Sequence, residues 1–310
     1  MKIISIVTSC YNEEHNIPEF YTRIKEVMTQ FPDYLCEFIV ADNCSTDNTR
    51  SVLRALAAAD PNFKVIMNAA NYGHIRSPYN ALLQAKGDAA ILICSDLQEP
   101  PELIAQLIRK YEEGFEVVAA VRKDTRAGKK MNVLRSLYYR ALGSVSDTPL
   151  IPDFTGFGLY SAKFLAALRQ FHEPYPYFRG LVSEIGLKRA TVEYVQEPRA
   201  HGRTKNNFLT LYDMAMTGFV NHTKIPLRLA GLCGFILAFI SFIVALGYLV
   251  YKLIFWQTFS LGMAPVVIGL FFFAGVQLIF IGIIGEYLGA VWTQVRNRPL
   301  VIEEERINFD

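Results

Sequence analysis

The sequence is short of tryptophan, of charge, and of any imbalance in charge. Tryptophan occurs twice in 310 residues, charged residues make up 19%, and 31 basic residues stand against 29 acidic ones. A net charge of +2 supplies no basic field, which excludes a nucleic-acid partner. The charged fraction lies below the roughly 25% of an ordinary soluble domain, while apolar residues reach 52%. That deficit is local. No Asp, Glu, Lys or Arg occurs over 229–251, and none over 253–285. Such runs are too long for an ordinary core helix and match the roughly 20 apolar residues that cross a bilayer. A simple soluble protein and a disordered chain are therefore excluded. The five cysteines (10, 36, 44, 94 and 233) form no CxxC and no Cys/His metal spacing. That excludes a disulfide-stapled secreted domain and points to reduced thiols in a cytosolic setting. A secretory leader is missing as well: Lys2 runs directly into Ile3-Ile4-Ser5-Ile6-Val7, and Glu13-Glu14 arrive too early for a cleavage site. The first two hundred residues are expected to remain in the cytoplasm.

What is present begins with alternation. Apolar runs over 3–8, 37–41, 64–68, 89–94 and 116–121 read as strands, and 17–30, 46–59, 77–85 and 101–112 as the helices between them. Strands as apolar as Ala89-Ala90-Ile91-Leu92-Ile93 belong in a sheet covered on both faces. Ligands of such sheets bind beyond the carboxyl ends of the strands, and the polar clusters fall there: Tyr11-Asn12-Glu13, Asp42-Asn43-Cys44-Ser45 and Asp96-Leu97-Gln98-Glu99. Asn12 or Glu13 can face a base or ribose, and Asp42 is placed for the same work, while Asp47 reads as a helix cap. Asp96 and Gln98, two residues apart after a buried strand, can hold Mg²⁺ or Mn²⁺ through a diphosphate. Pro101 opens the next helix.

Further on, 123–140 is basic and amphipathic, suited to an anionic membrane surface or to an ordinary solvated helix face. Residues 206–226 read as an interfacial helix, broken by Pro226 before the first span. The spans are 229–251 and 264–288, joined by a short connector carrying Trp256 and Phe259 as interfacial anchors. Lys224, Arg228, Arg296 and Arg298 flank the pair, so the positive-inside rule puts both termini in the cytoplasm. Glu286 is either a buried functional carboxylate or a residue reaching the headgroups. The glycines of the spans permit close packing within the hairpin or between chains, consistent with a homo-oligomer. The domain reading is 1–205 cytosolic, 206–226 interfacial, 227–290 membrane hairpin and 291–310 cytosolic tail.

Together, three junctions resemble the GT-A, family 2 glycosyltransferases. Val7-Thr8-Ser9-Cys10-Tyr11-Asn12-Glu13-Glu14 is similar to their V-x-x-Y-N-E-E segment, Asp42-Asn43-Cys44-Ser45-Thr46-Asp47 to D-D-G-S-T-D, and Asp96-Leu97-Gln98-Glu99-Pro100-Pro101-Glu102 to the metal motif. Asn71-Tyr72-Gly73 and Lys86-Gly87-Asp88 match a further segment. With two C-terminal spans, the resemblance narrows to the polyisoprenyl-phosphate glycosyltransferases, relatives of dolichol-phosphate mannose synthase. It implies an α/β, GT-A (Rossmann-like), mostly parallel sheet domain, then interfacial amphipathic helices and a transmembrane hairpin in the inner membrane.

By this resemblance Asp96 and Asp153 are catalytic, and Tyr11, Asn12, Glu13, Asp42, Asn71, Cys94 and Ser95 bind the nucleotide sugar. Arg179, Arg203 and Lys205 bind the phosphate of a polyprenyl-phosphate acceptor, and Asp96 with Gln98 holds Mg²⁺ or Mn²⁺. The implied reaction is an inverting transfer of a sugar, glucose by preference, from a nucleotide sugar. Three positions depart from the family pattern: Cys94 replaces the first acid of D-x-D, Asn43 an aspartate, and Gly158 stands where many relatives have Arg. A polymer-forming membrane glycosyltransferase would need a Q-x-x-R-W segment, which the chain lacks. A non-catalytic nucleotide-sugar-binding membrane protein is the third reading, with Cys94 and Gly158 as signs of decay.

Overall fold

The computed structural model describes residues 1–124, 151–197, 225–255, 263–296 and 298–309. They divide into two units, one of 1–214 with 297–310 and the other of 215–296.

The first unit is built on one eight-stranded sheet. Its strands are β1 (Lys2–Cys10), β2 (Tyr34–Asp42), β3 (Phe63–Asn68), β4 (Ala89–Leu92), β5 (Val117–Asp124), β6 (Phe154–Ser161), β7 (Arg189–Val195) and β8 (Glu303–Ile307), in the order β7-β5-β6-β4-β1-β2-β3-β8. β1, β2, β3 and β4 run parallel, as do β5 and β7; β6 is antiparallel to β4 and β5, and β8 to β3. This is the mixed, mostly parallel sheet expected of a GT-A domain.

Strand periodicity of two sorts the core into two layers. Ile4, Ile6, Phe38, Val40, Val65 and Met67 point to one face, where α1 (Asn16–Met28), α2 (Thr49–Ala59) and α4 (Ile104–Glu112) cover them with Ile17, Phe20, Leu53 and Leu107. Val7, Ile39, Ala41 and Ile66 point to the other, under α3 (Gly73–Gln84), α5 (Ala162–Leu168) and α6 (Phe178–Glu184). Phe20, Phe38 and Phe63 are among the largest fully buried side chains, each contributing about 2–3 kcal/mol by burial. The strands predicted from apolar runs all form, as do the four helices, with ends shifted by a few residues.

The tail did not read as structure from sequence, yet β8 closes the β3 edge. Val65 lies opposite Ile307 and Met67 opposite Glu305. Asn308 fastens the end by donating to the carbonyls of Ala57 and Phe63 at 2.8 and 2.9 Å.

The second unit contains α7 (Ile225–Ile254) and α8 (Met263–Val295), of 30 and 33 residues. At 1.5 Å per residue each exceeds the roughly 30 Å hydrocarbon core. Their stretches Leu227–Val244 and Phe272–Val295 are long and apolar enough to cross a membrane, and Phe235, Phe239, Leu270 and Leu278 are exposed. Both predicted spans fall inside these helices. Glu286 is exposed on α8. A side chain at Gly234 would stand 3.8 Å from Phe280, where the two helices meet, whereas Gly231, Gly247 and Gly269 face open space. The amphipathic stretch at 123–140 beyond Asp124, the interfacial helix before Ile225, and Trp256 and Phe259 lie outside the described residues.

Candidate functional site

Register alone brings the ends of β1, β2, β3 and β4 to one edge. Cys10 lies opposite Asp42, Asp42 opposite Met67, and Val7 opposite Leu92. Leu92 in turn faces Gly158 of the antiparallel β6, which puts Asp153, just before β6, at the same edge. Backbone strain gathers there too. Asn12, Cys44, Leu97 and Asp153 have φ of 59°, 64°, 58° and 52°, the left-handed region that costs most for a residue such as Leu97. Strain concentrated in the loops of one edge marks a site whose geometry the rest of the fold enforces.

The loops after β1 and β2 are stitched together. The Asn12 amide N–H donates to Ser45 Oγ at 2.9 Å, the Thr46 N–H to Asn12 Oδ1 at 2.8 Å, and the Glu13 N–H to Thr49 Oγ1 at 2.9 Å. Glu14 accepts from the Asn48 N–H at 2.9 Å. Asp42 is fully enclosed. It accepts from the Ser45 N–H and from Arg50 Nε, the latter at 2.8 Å. Its carboxylate thus shapes the turn at the site without surface of its own. Asn43 does work that an aspartate cannot do: Nδ2 donates to Asn71 Oδ1 at 2.8 Å and to the Gly73 carbonyl at 3.2 Å, while Oδ1 accepts from the Tyr72 N–H. The expected donor-side residue Asn71 is thereby held against the β2 loop.

The loop after β4 carries Cys94, Ser95, Asp96 and Gln98. Ser95 Oγ donates to the Ser9 carbonyl at 3.1 Å, tying it to β1. Asp96 accepts from the Gln98 N–H at 3.2 Å. Glu99, to which the sequence assigns no role, is the buried centre of this corner. Its Oε2 accepts from the Cys94 N–H at 2.9 Å and its Oε1 from Thr155 Oγ1 at 3.0 Å. It joins the Asp96 loop to the Asp153 loop. Burial pushes the Glu99 carboxyl above its ordinary value, partly countered by those two donors. Cys94 has exposed surface, yet the dense surroundings of its thiol, with Glu99 and Asp96 beside it, raise its pKa well above the usual thiol range. Arg122 of β5 donates its N–H to the Asp153 carbonyl at 3.2 Å and binds Gln196 through Nη1 at 2.7 Å.

Arg179 lies on α6, and its charge, after burial, holds the His74 imidazole of α3 below its ordinary pKa. Arg203 and Lys205 lie outside the described residues. Gly158, by contrast, is not the seat of a lost arginine. A Cβ there would stand 2.5 Å from the Val118 carbonyl oxygen, so β6 and β5 approach too closely for any side chain.

Among the described residues no three His, Cys, Asp or Glu side chains form a metal cage. Glu99 is committed to Thr155 and Cys94, and a protonated thiol suits a hard cation poorly. What remains, the Asp96 carboxylate and the Gln98 amide, fits a Mg²⁺ or Mn²⁺ ion that takes most of its ligands from a diphosphate and water.

The chain is 32% identical to the SfII prophage-derived bactoprenol glucosyl transferase of Shigella flexneri over 96% of each chain. It is 32% identical to the bactoprenol glucosyl transferase of Shigella phage SfV, over 98% of this chain and 99% of that one. Against the uncharacterized glycosyltransferase YkcC of Bacillus subtilis identity is 34%, over 99% and 94%. Residues 5–167, which carry β1 to β6 and every loop of the strained edge, match the family described as glycosyl transferase family 2. The chain therefore belongs to glycosyl transferase family 2.

Proposed function

We propose that this chain transfers glucose from UDP-glucose to a polyprenyl phosphate such as undecaprenyl phosphate, giving glucosyl-phosphoryl-polyprenol. The observation that carries the reading is the pairing of a strained loop edge bearing Asp96 with two long apolar helices in one chain. Full-length similarity to bactoprenol glucosyl transferases supports the choice of sugar and lipid.

A phosphate monoester has a second pKa near 6, so the acceptor oxygen is largely ionised at neutral pH. It attacks the anomeric carbon as the bond from that carbon to the UDP oxygen breaks, inverting the configuration, and no proton has to be removed. The chemistry then depends on position and on the departing charge. The loops bearing Tyr11, Asn12, Glu13 and Asn71 hold the nucleoside end, with Asp42 and Asn43 fixing their shape. Asp96 and Gln98 hold the divalent cation, which when bound neutralises the diphosphate leaving group. Asp153, fixed by the Arg122 N–H and through Thr155 by Glu99, orients the acceptor or stabilises positive charge developing on the sugar. Arg179, Arg203 and Lys205 receive the acceptor phosphate, the arginines through forked donors.

The cytoplasmic membrane is the proposed location. β8 follows the hairpin yet pairs with β3, so a chain that crosses twice must return to the side from which it left. Lys224, Arg228, Arg296 and Arg298 favour that side being the cytoplasm. Transfer of radiolabelled glucose from UDP-glucose into a lipid-extractable product, with Mg²⁺ or Mn²⁺ supplied, tests the reading. A metal-replete chain that labels no polyprenyl phosphate with any common nucleotide sugar refutes it.

A further inference from the structure

Arg50 of α2 occupies an unusual junction. Nε binds the enclosed Asp42 carboxylate at 2.8 Å, Nη2 the Asn68 carbonyl at 2.9 Å, and Nη1 the Glu304 carboxylate at 3.0 Å. Its one guanidinium therefore joins the ends of β2 and β3 to β8, the strand that follows the membrane hairpin. From Asp42 the path continues inward: its carboxylate receives the Ser45 N–H, and Ser45 Oγ receives the Asn12 N–H. One turn further along α2, Arg54 pairs with Glu305 at 2.6 Å.

We propose that the C-terminal strand is a working part of the donor site, with Glu304 as a positioning residue that holds Arg50, and through it the Asp42–Ser45–Asn12 turn, in the shape that receives the nucleoside diphosphate. The inference rests on the donor reading above and adds to it a residue 254 positions from Arg50 in sequence. The fork explains why one guanidinium is needed here. A planar donor set can serve two carboxylates and a carbonyl at once, whereas an ammonium would have to choose. It also explains why Asp42 can be enclosed: its charge is matched on the protein side, so its effect on a ligand passes through the loop it shapes. The tail has other fastenings that survive loss of the Glu304 charge. They include the Asn308 bonds and that of Asn80 Nδ2 to Glu303 at 3.0 Å.

Glu304 and Glu305 supply their own control, being adjacent, partly exposed and each paired with an arginine of α2. The full chain in detergent or lipid nanodiscs is assayed for UDP binding by calorimetry and for the KM and kcat of UDP-glucose. The Glu304→Gln, Glu305→Gln and Arg50→Lys variants are compared with wild type. An exposed ion pair sets the scale, so Glu304→Gln is expected to raise the UDP Kd and donor KM about two- to fivefold with kcat within about twofold. Arg50→Lys is expected to weaken UDP further, and Glu305→Gln to leave both values unchanged. Melting temperatures of the glutamine variants are expected to match, so that tail docking is not what differs. Equal weakening by both glutamine variants, or none from Glu304→Gln, overturns the proposal while the donor reading stands. A wild-type chain that binds neither UDP nor any other nucleoside diphosphate overturns the donor reading and this inference with it.

Discussion

Replacing Glu99 by alanine removes a side chain that joins the Asp96 loop to the Asp153 loop. Glu99 is only 5% exposed, so the Cys94 N–H and the Thr155 hydroxyl lose partners that water cannot fully replace. Each orphaned donor costs about 1–3 kcal/mol, and the vacated volume adds to that. A total of about 3–5 kcal/mol corresponds to a fall in Tm of roughly 6–20 °C for a unit of this size. In glutamine the carbonyl can accept from the Cys94 N–H while the amide donates to the Thr155 hydroxyl, which turns to accept, so Glu99→Gln should lose little. The two variants also separate by pH. Because burial raises the Glu99 pKa above its ordinary 4.5, the fold prefers the protonated acid. That contribution is complete below about pH 4.5 and is lost as pH rises through the raised value. The neutral amide escapes the loss, so the stability of Glu99→Gln relative to wild type should improve as pH climbs through that window. Both tryptophans, Trp256 and Trp292, lie outside the first unit, so scanning calorimetry is a better assay than intrinsic fluorescence. A Glu99→Ala melting temperature within about 2 °C of wild type, or a Glu99→Gln variant as damaged as alanine, refutes the reasoning.

Asp96→Asn should cut transfer of labelled glucose to lipid by about 10²–10³-fold without moving the melting temperature; retained transfer would remove Asp96 from the chemistry. Gly158→Ala should destabilise the sheet by about 1–3 kcal/mol or more, since its Cβ meets the Val118 carbonyl at 2.5 Å, and calorimetry against wild type checks it. Arg179→Ala should raise the His74 pKa toward 6.5, because burial and the Arg179 charge both depress it. An NMR titration of His74 that does not move would show that the two groups do not interact.

The sheet's first half was legible because each strand is a short apolar run and each helix has its own periodicity, from Ile3-Ile4-Ser5-Ile6-Val7 onward. The clusters after β1, β2 and β4 were legible for the same reason: polar residues that follow a buried strand have one edge to occupy. β8 was not. Glu303-Glu304-Glu305-Arg306 reads as a solvated tail, and it becomes a strand because Arg50, Arg54 and Asn80 offer partners that are distant in sequence. Glu99 was hidden differently. It lies in a loop where acids are ordinary, and its burial follows only from the approach of Thr155, 56 residues on.

Cys94 and Gly158 can be read as signs of decay and Asn43 as a plain departure from the family pattern, and the surroundings of all three argue against decay. Asn43 donates two hydrogen bonds from its amide nitrogen while receiving one from the Tyr72 backbone, which an aspartate could not do. Gly158 is the only residue that lets β6 lie against β5 at this point. Cys94 sits beside Asp96 and the buried Glu99, whose carboxyl is already hard to ionise. A third carboxylate there would push Glu99 further from its charged form and weaken its hold on Thr155 and the Asp153 loop. A neutral thiol at 94 adds no charge beside Asp96 and leaves Glu99 as the brace between the two loops. Each substitution thus fits a bond or a contact that the original residue type would break, which is the mark of a site adjusted to its own corner of the fold rather than one that has lost its use.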